Sequence, residues 1–108
     1  MIQQYRVWAP EPDRVRLVVD GTEYPLTKDD GDWWSTDAVT PEVGARYGFR
    51  LGDDDAVIPD PRTQSQPDGV HGTSEVVDLG AFRWTDEGWT CRQARGAVIY
   101  ELDRKSVV

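Results

Sequence analysis

This 108-residue sequence contains two clusters of carboxylates that could do chemistry, Asp29–Asp32 and Asp53–Asp55. Such clusters could bind a cation through their oxygens, or supply an acid and a base. Each cluster lies beside a glycine, however, and aspartate next to glycine is typical of solvated turns. A calcium loop is the functional alternative, but the ligand spacing of an EF-hand is absent. We therefore expect no metal site and no bound cofactor.

His71 and Cys91 are each the only residue of their type. A single histidine gives little support to a His-based metal site or to a Cys–His pair. General-base chemistry by His71 is one alternative, but its place between Val70 and Gly72 favours a structural hydrogen bond in a tight loop. Cys91 is interpreted as an unpaired thiol. One cysteine excludes an internal disulfide framework and fits a reducing cytoplasm.

Trp33 and Trp34 are adjacent at the start of a predicted strand. Neighbouring strand residues point to opposite faces of a sheet, so one ring should enter the core and the other should face outward. Flat aromatic rings bind the apolar C–H faces of sugars, so the outward ring is a candidate glucan platform. Packing against another domain is the alternative, and we favour it because exposed rings more often pack than bind.

The elements that must position these side chains are short strands. Val15–Val19 alternates apolar and polar residues, as a half-buried strand does, and Asp20-Gly21 follows at once. That pair predicts a two-residue hairpin, with positive φ at both positions, that returns over Thr22–Leu26. No window of residues 5–51 combines helical periodicity with caps. The sequence therefore predicts an all-β fold, an immunoglobulin-like (early-set) β-sandwich.

The predicted core of this sandwich consists of the inward faces of its strands. It comprises Val7, Val15, Leu17, Val19, Tyr47, Phe49 and Leu51, with Trp8 and one of Trp33 and Trp34 close by.

Residues 59–74 are too rich in proline, glycine and polar residues for a helix or a central strand. Such a segment is either a linker or an ordered loop laid against something larger, and we favour the ordered loop. Glu75–Asp78 could form one strand. Val98–Leu102 is a compact, mostly apolar run that fits a strand buried on both faces of a parallel sheet. Nothing else in the sequence supplies a parallel partner for it.

The charge balance limits the classes of partner. Lys and Arg total 12 and Asp and Glu total 20, a net charge of −8. An acidic surface repels phosphate backbones and anionic lipids, so we expect no nucleic-acid and no membrane partner. Neutral sugars are unaffected by that field. The sequence carries no signal-peptide pattern and no apolar run of spanning length, which predicts a soluble, cytoplasmic protein.

Several motifs resemble a known family. Tyr5–Pro10 resembles the opening strand of the N-terminal modules of α-amylase superfamily enzymes. Four further motifs, taken in order, are similar to those of the maltooligosyl trehalose trehalohydrolases, and the match runs to Leu102. They are Pro59–Arg62, Gln66–Gly72, Phe82-x-Trp84-x-Asp86-x-x-Trp89 and Val98–Leu102.

The resemblance implies a cytoplasmic glycosidase that hydrolyses the α-1,4 bond next to the trehalose unit of maltooligosyl trehalose. The family's catalytic carboxylates lie in a (β/α)₈ barrel that follows the module. This chain is far shorter than the ~250 residues of such a barrel, so we assign no catalytic residue. The expected division is a sandwich over 1–58, an ordered interdomain segment over 59–97, the first barrel strand at 98–102 and an unmatched tail at 103–108.

The family pattern breaks after Leu102. We interpret the chain as a truncated fragment, with a vector-derived or frame-shifted tail as one explanation of its last residues. Its irregular C-terminal extension would lead toward a barrel that is missing here.

The favoured function is that of a non-catalytic N-terminal domain that packs on the barrel and frames the substrate cleft. The alternative is an autonomous starch- or glycogen-binding module of a branching or debranching enzyme, with binding by Trp33 and Trp34. A hydrolase within these residues has the least support. The residues expected to make the interdomain contact are Pro59, Asp60, Pro61, Arg62, Gln66, Pro67, Val70, His71, Trp84, Trp89 and Tyr100.

Overall fold

The structure, a computed structural model, describes residues 2–103 and is built almost entirely of β-strands. Two antiparallel sheets contribute side chains to one core, so the predicted all-β sandwich is confirmed. The strands are β1 (Arg6–Trp8), β2 (Val15–Val19), β3 (Thr22–Pro25), β4 (Thr27–Lys28), β5 (Trp33–Ser35), β6 (Arg46–Leu51) and β7 (Ser74–Glu75), followed by a 3₁₀ turn at Leu79–Ala81.

The smaller sheet has the strand order β1-β5-β4 and the larger sheet has the order β3-β2-β6-β7. In the smaller sheet Trp8 lies opposite Trp33, and in the larger sheet Leu17 lies opposite Phe49. Leu17 and Phe49 are fully buried, and they form the centre of the core.

The hairpin between β2 and β3 forms at the predicted Asp-Gly pair. Asp20 has φ 47° and Gly21 has φ 86°, which are the left-handed conformations that a type I′ turn requires. The Asp20 carboxylate also accepts a hydrogen bond from the Arg46 backbone N–H at 3.0 Å. The turn is therefore tied to the neighbouring strand β6.

Six of the seven residues predicted for the core are buried, and Leu51 is partly buried against them. Trp8 was expected near the core but is 55% exposed. Its neighbour Val7 points inward, and strand alternation sends Trp8 to the outer face, where it meets Trp33. The core also includes residues outside that set: Tyr5, Ala9, Leu26, Trp34 and Val76.

The sandwich continues past the boundary that we expected at residue 58. Strand β7 pairs with β6, where Tyr47 lies opposite Ser74, and the next residue but one, Val76, belongs to the core. An isolated bridge joins Ile2 to Asp78. Of the strand predicted over Glu75–Asp78, only Glu75 lies in a strand, because β7 spans Ser74–Glu75.

Residues 79–103, called the C-terminal arm below, contain no strand. The strand predicted at Val98–Leu102 is not formed, and its four apolar side chains are 77–96% exposed. A strand buried on both faces needs hydrogen-bonding neighbours, and none lies beside this segment within residues 2–103. The radius of gyration is 19.4 Å, against about 13 Å for a compact domain of this size. An exposed arm that belongs to neither sheet is expected to enlarge the radius in this way.

We expect Gly48→Ala to destabilise the sandwich by about 2 kcal/mol, because β6 is crossed at this point by another segment. A Cβ atom at Gly48 would lie 2.5 Å from Val57 Cγ1 and 2.7 Å from the Ile58 carbonyl oxygen. Ile58 also exchanges two backbone hydrogen bonds with Phe49, so it cannot move away freely. Chemical denaturation followed by tryptophan fluorescence measures the change.

Gly88→Ala in the arm is the matched control, because nothing lies within 4 Å of its added Cβ. Equal denaturation midpoints for the two variants would contradict the close approach at Gly48.

Candidate functional site

The two adjacent tryptophans lie on opposite faces of β5, as strand alternation predicts. Trp34 is 5% exposed and its indole N–H donates to the Ala9 carbonyl oxygen at 2.8 Å. Its ring belongs to the core, so Trp34 cannot serve as a sugar platform. Trp33 faces outward and is half-buried.

Two guanidinium groups lie over the Trp33 ring. The distance from Cζ to the ring centroid is 4.6 Å for Arg6 and 5.3 Å for Arg62. Each cation–π contact of this kind contributes about 0.5–1 kcal/mol at an exposed site. The more open aromatic ring in this region is that of Trp8, the cross-strand neighbour of Trp33. We call these four residues the Trp33 cluster.

Two shallow grooves adjoin at Arg62. One groove of about 240 Å³ is lined by Val7, Trp8, Trp33, Asp60, Pro61 and Arg62. The other, of about 570 Å³, is lined by Ile2, Gln3, Arg62, Gln64, Leu79 and Gly80. The first groove lies beside Trp8 and Trp33 of the smaller sheet, and the second reaches Leu79, where the C-terminal arm begins.

Asp60 holds the irregular loop against the sandwich. It is 2% exposed, and its Oδ2 accepts from the Tyr47 hydroxyl at 2.8 Å and from Gln3 Nε2 at 3.1 Å. Its Oδ1 accepts from the Arg62 backbone N–H at 2.8 Å, and its own N–H donates to Ser74 Oγ at 3.0 Å. One buried carboxylate thus fixes the position of the Arg62 backbone beside Trp33.

The rest of the loop makes hydrogen bonds with the sandwich and within itself. The Glu75 N–H donates to the Ser65 carbonyl oxygen at 2.8 Å, and Gln66 Nε2 donates to the Val70 carbonyl oxygen at 3.1 Å. Arg46 forms an ion pair with Asp68 at 2.7 Å. The loop therefore lies along the edge of the sandwich that carries β7.

The residues predicted for an interdomain contact differ in exposure. Asp60 is buried, so its side chain acts inside the sandwich, and Pro59 and Gln66 are half-buried. The exposed members of the set are Pro61, Arg62, Pro67, Val70, His71, Trp84, Trp89 and Tyr100.

His71 and the carboxylate clusters give opposite outcomes. Asp29 Oδ1 accepts from the backbone N–H groups of Gly31 and Trp33, so the turn interpretation holds for its cluster. Asp54 does the same with the N–H of Ala56. The structural hydrogen bond expected of His71 is absent: its side chain is exposed and makes no bond within residues 2–103. Cys91 is a free, exposed thiol, as predicted.

Sequence reasoning missed the Trp33 cluster as a unit. The alternation around Val7 places Arg6 and Trp8 on one outer face, and that signal was available. The approach of Arg62 was not, because 56 residues separate it from Arg6 in sequence.

Two buried tyrosines should make the fold sensitive to alkali. Burial raises the pKa of Tyr5 to about 12, and Asp20 and Glu42 add to the shift. Burial also raises the pKa of Tyr47, and its hydrogen bond to Asp60 adds to it. Both folded-state values exceed the value of about 10 expected in the unfolded chain, so their contribution to stability is complete below pH 10. It falls as the pH rises toward 12.

Urea denaturation at pH 8 and pH 11 tests this expectation, because the free energy of unfolding should be lower at pH 11. Tyr47→Phe should show a smaller difference between the two values. A denaturation midpoint that is unchanged between pH 8 and pH 11 would contradict it.

The sequence of this chain is similar to segments of known proteins. No family model matches the chain. It is 48% identical to malto-oligosyltrehalose trehalohydrolase of Mycobacterium tuberculosis (strain CDC 1551 / Oshkosh), over 92% of this chain and 17% of that protein. It is 39% identical to the enzyme of the same name from Rhizobium sp. (strain M-11), over 92% of this chain and 18% of that protein.

The fold of this chain is also similar to part of a solved structure. The fold matches the crystal structure of a Salmonella typhimurium chain provisionally assigned as an alpha amylase, with a TM-score of 0.72 and 31% identity. That match covers 82% of this chain and 15% of the other. Within residues 2–103 no helix is long and apolar enough to cross a bilayer.

The chain spans about a sixth of the length of the curated relatives that it matches. Nearly all of it corresponds to an N-terminal segment of malto-oligosyltrehalose trehalohydrolases, and the resemblance drawn from its motifs is confirmed.

Proposed function

We propose that this chain is a non-catalytic N-terminal module of a trehalose-releasing α-glucan hydrolase. The enzyme would hydrolyse the α-1,4 bond next to the trehalose unit of maltooligosyl trehalose. The module would pack on the catalytic barrel and help to frame the substrate cleft, with Pro61, Arg62 and the C-terminal arm at the contact. The two relatives support this proposal because each is about six times as long as this chain and is named malto-oligosyltrehalose trehalohydrolase.

The observation that carries the proposal is the exposure of the C-terminal arm. Its large apolar side chains are 60–96% exposed, although each would contribute roughly 1.5–3 kcal/mol if buried. Monomeric soluble proteins rarely leave this many large apolar side chains exposed in one segment. The exposed apolar side chains of the arm are Leu79, Phe82, Trp84, Trp89, Val98, Ile99, Tyr100 and Leu102. Within residues 2–103 the rings of Phe82 and Trp84 contact no other ring, and they meet edge to face at 5.1 Å.

The carboxylates of the sandwich support a non-catalytic role. A retaining glycosidase needs two carboxyl groups about 5–5.5 Å apart, facing the substrate. Asp60 is the most buried carboxylate, and its oxygens accept three hydrogen bonds inside the sandwich. Asp29 and Asp54 hold turns. These groups act in the fold, and the chemistry belongs to the rest of a longer enzyme.

A chimera tests the proposal. We would replace the matching N-terminal segment of the Mycobacterium tuberculosis trehalohydrolase with this chain and measure trehalose release. We expect activity within about tenfold of the parent, and loss of at least about a hundredfold when the segment is deleted, because the barrel would lose its packing surface. The chain alone should release trehalose at background rate.

The control chimera carries Trp84→Ser and Trp89→Ser, which should lower activity by removing the contact. A deletion protein as active as the chimera would contradict the proposal.

A carbohydrate-binding module is the second candidate, and one observation favours it. Trp8 is 55% exposed and lines the 240 Å³ groove beside Trp33, which could hold one sugar face against a ring. Maltoheptaose titrated into the chain should then change its tryptophan fluorescence, and Trp8→Ala should abolish the change. No response at millimolar sugar would remove this candidate.

A further inference from the structure

Arg6 and Arg62 differ from the other cationic side chains of the sandwich. The chain carries 20 acidic residues, and most cations in or beside its strands have a carboxylate oxygen within 3.2 Å. Those paired cations are Arg14, Arg16, Lys28, Arg46 and Arg50. Neither Arg6 nor Arg62 has a carboxylate within 4 Å in the part of the chain that the structure describes. Two unneutralised guanidinium groups against one indole ring are unexpected on a protein of net charge −8.

The two guanidinium groups lie over the Trp33 ring, and this position keeps their donors available. A guanidinium contacts an aromatic ring through its flat face, while its five N–H bonds lie in its own plane. Arg62 uses one of these donors, in a bond of 3.0 Å to the Arg6 carbonyl oxygen. The Arg6 side chain makes no hydrogen bond within residues 2–103. The remaining N–H groups are free to receive an oxyanion.

The backbone holds both arginines in place without a ligand. Arg6 lies on β1, and the Arg62 N–H donates to Asp60 Oδ1 at 2.8 Å. Asp60 is the acidic residue that lines the groove of Arg62, but it is 2% exposed and its oxygens accept three hydrogen bonds. Two cations and one satisfied carboxylate leave a formal charge of +1 at the site.

We propose that Arg6 and Arg62 form an anion-binding site whose ligand is a phosphate or carboxylate group. Paired guanidinium forks match the oxygen geometry of both groups and bind them through charge-assisted hydrogen bonds. The adjoining groove, with Trp8 and Pro61 on its wall, would contact the apolar part of the molecule that carries the anion. The anion has two sources, a free phosphorylated small molecule or a carboxylate side chain from the rest of a longer polypeptide.

NMR titration of the 108-residue chain tests the site, at pH 7 and constant ionic strength. Sodium phosphate should shift the Trp33 indole N–H resonance in a saturable way at millimolar concentration. Arg62→Gln and Arg6→Gln should each weaken phosphate binding at least about tenfold, because each removes a charge-assisted contact. Arg62→Lys keeps the charge and loses the fork, so it should lie between the wild type and Arg62→Gln.

Arg14→Gln is the matched control. It removes the same charge from an exposed side chain that pairs with Asp53 on the larger sheet, so binding should be unchanged. If Arg62→Gln disturbs the fold, Arg6→Gln decides, since the Arg6 side chain makes no hydrogen bond in the part of the chain that the structure describes. No saturable shift, or an equal loss in Arg14→Gln and Arg6→Gln, would overturn the proposal.

Sodium acetate titrated in parallel identifies the source. Phosphate binding at least about tenfold tighter than acetate indicates a phosphorylated small molecule, because a dianion engages both forks. Equal binding of the two anions indicates a protein carboxylate. Either result supports the site.

Discussion

Asp60→Ala is expected to lower the free energy of unfolding by about 3–5 kcal/mol, the largest loss that we expect from one substitution in residues 59–74. The carboxylate is buried and accepts from the Tyr47 hydroxyl, Gln3 Nε2 and the Arg62 N–H. Alanine would leave these three donors without their acceptor, and a lost hydrogen bond to a charged group costs about 1.5–3 kcal/mol. Urea denaturation followed by Trp34 fluorescence measures the loss.

Asp68→Ala is the matched control in the same loop. The Asp68 side chain is 66% exposed and its ion pair with Arg46 is at the surface, so its removal should cost less than about 1 kcal/mol. Equal losses in the two variants would show that Asp60 does not anchor the loop. In the Asp60→Ala variant Arg62 should be released from its contact with the Trp33 ring. The Trp33 indole should then be more exposed to solvent.

The second large effect concerns the C-terminal arm. We expect the 108-residue chain to bind an apolar dye and to self-associate at micromolar concentration, because the arm's large apolar side chains are exposed to solvent. The triple variant Trp84→Ser, Val98→Ser, Ile99→Ser should lower dye fluorescence at least roughly threefold and shift sedimentation toward monomer. Its denaturation midpoint should stay unchanged, since none of the three packs on the core.

The control replaces Arg83, Arg92 and Arg95 of the same arm with serine, which leaves its apolar side chains in place. Dye binding should then persist. A wild-type chain that stays monomeric and binds no dye would contradict the interpretation of the arm as a contact surface.

Local patterns predicted the sandwich well. The Asp20-Gly21 pair specified its turn, because both residues had to adopt positive φ. The alternation in β2 and β6 specified the buried face, because each apolar residue two positions on points the same way. These features are encoded by neighbours in sequence, so a single chain contains enough information to find them.

Features that depend on distant segments were harder to predict. Strand β7 is two residues long and exists because Ser74 meets Tyr47, a pairing with no local signal. Val98–Leu102 has the composition of a buried strand, but composition cannot supply the neighbouring strands. The strand should form only against another sheet, which stays a prediction.

The candidate site shows the same division. Alternation predicted that one of Trp33 and Trp34 would face outward, without deciding which. The contact of Trp33 with Arg62 depends on how Asp60 folds the loop back onto β1. Trp8 was predicted near the core because its ring is large and apolar. The alternation in β1 instead predicts an outward position, which is the one observed. The tail residues 104–108, interpreted as vector-derived or frame-shifted, lie outside the described residues.

Hydrogen exchange at Val98–Leu102 tests most directly whether this sandwich needs a neighbour. The amides should exchange freely in the 108-residue chain, where the segment is exposed, and at least about a hundredfold more slowly in the Mycobacterium tuberculosis chimera. That result would place the segment in a hydrogen-bonded sheet of the larger enzyme. Equal, fast exchange in an active chimera would contradict the account.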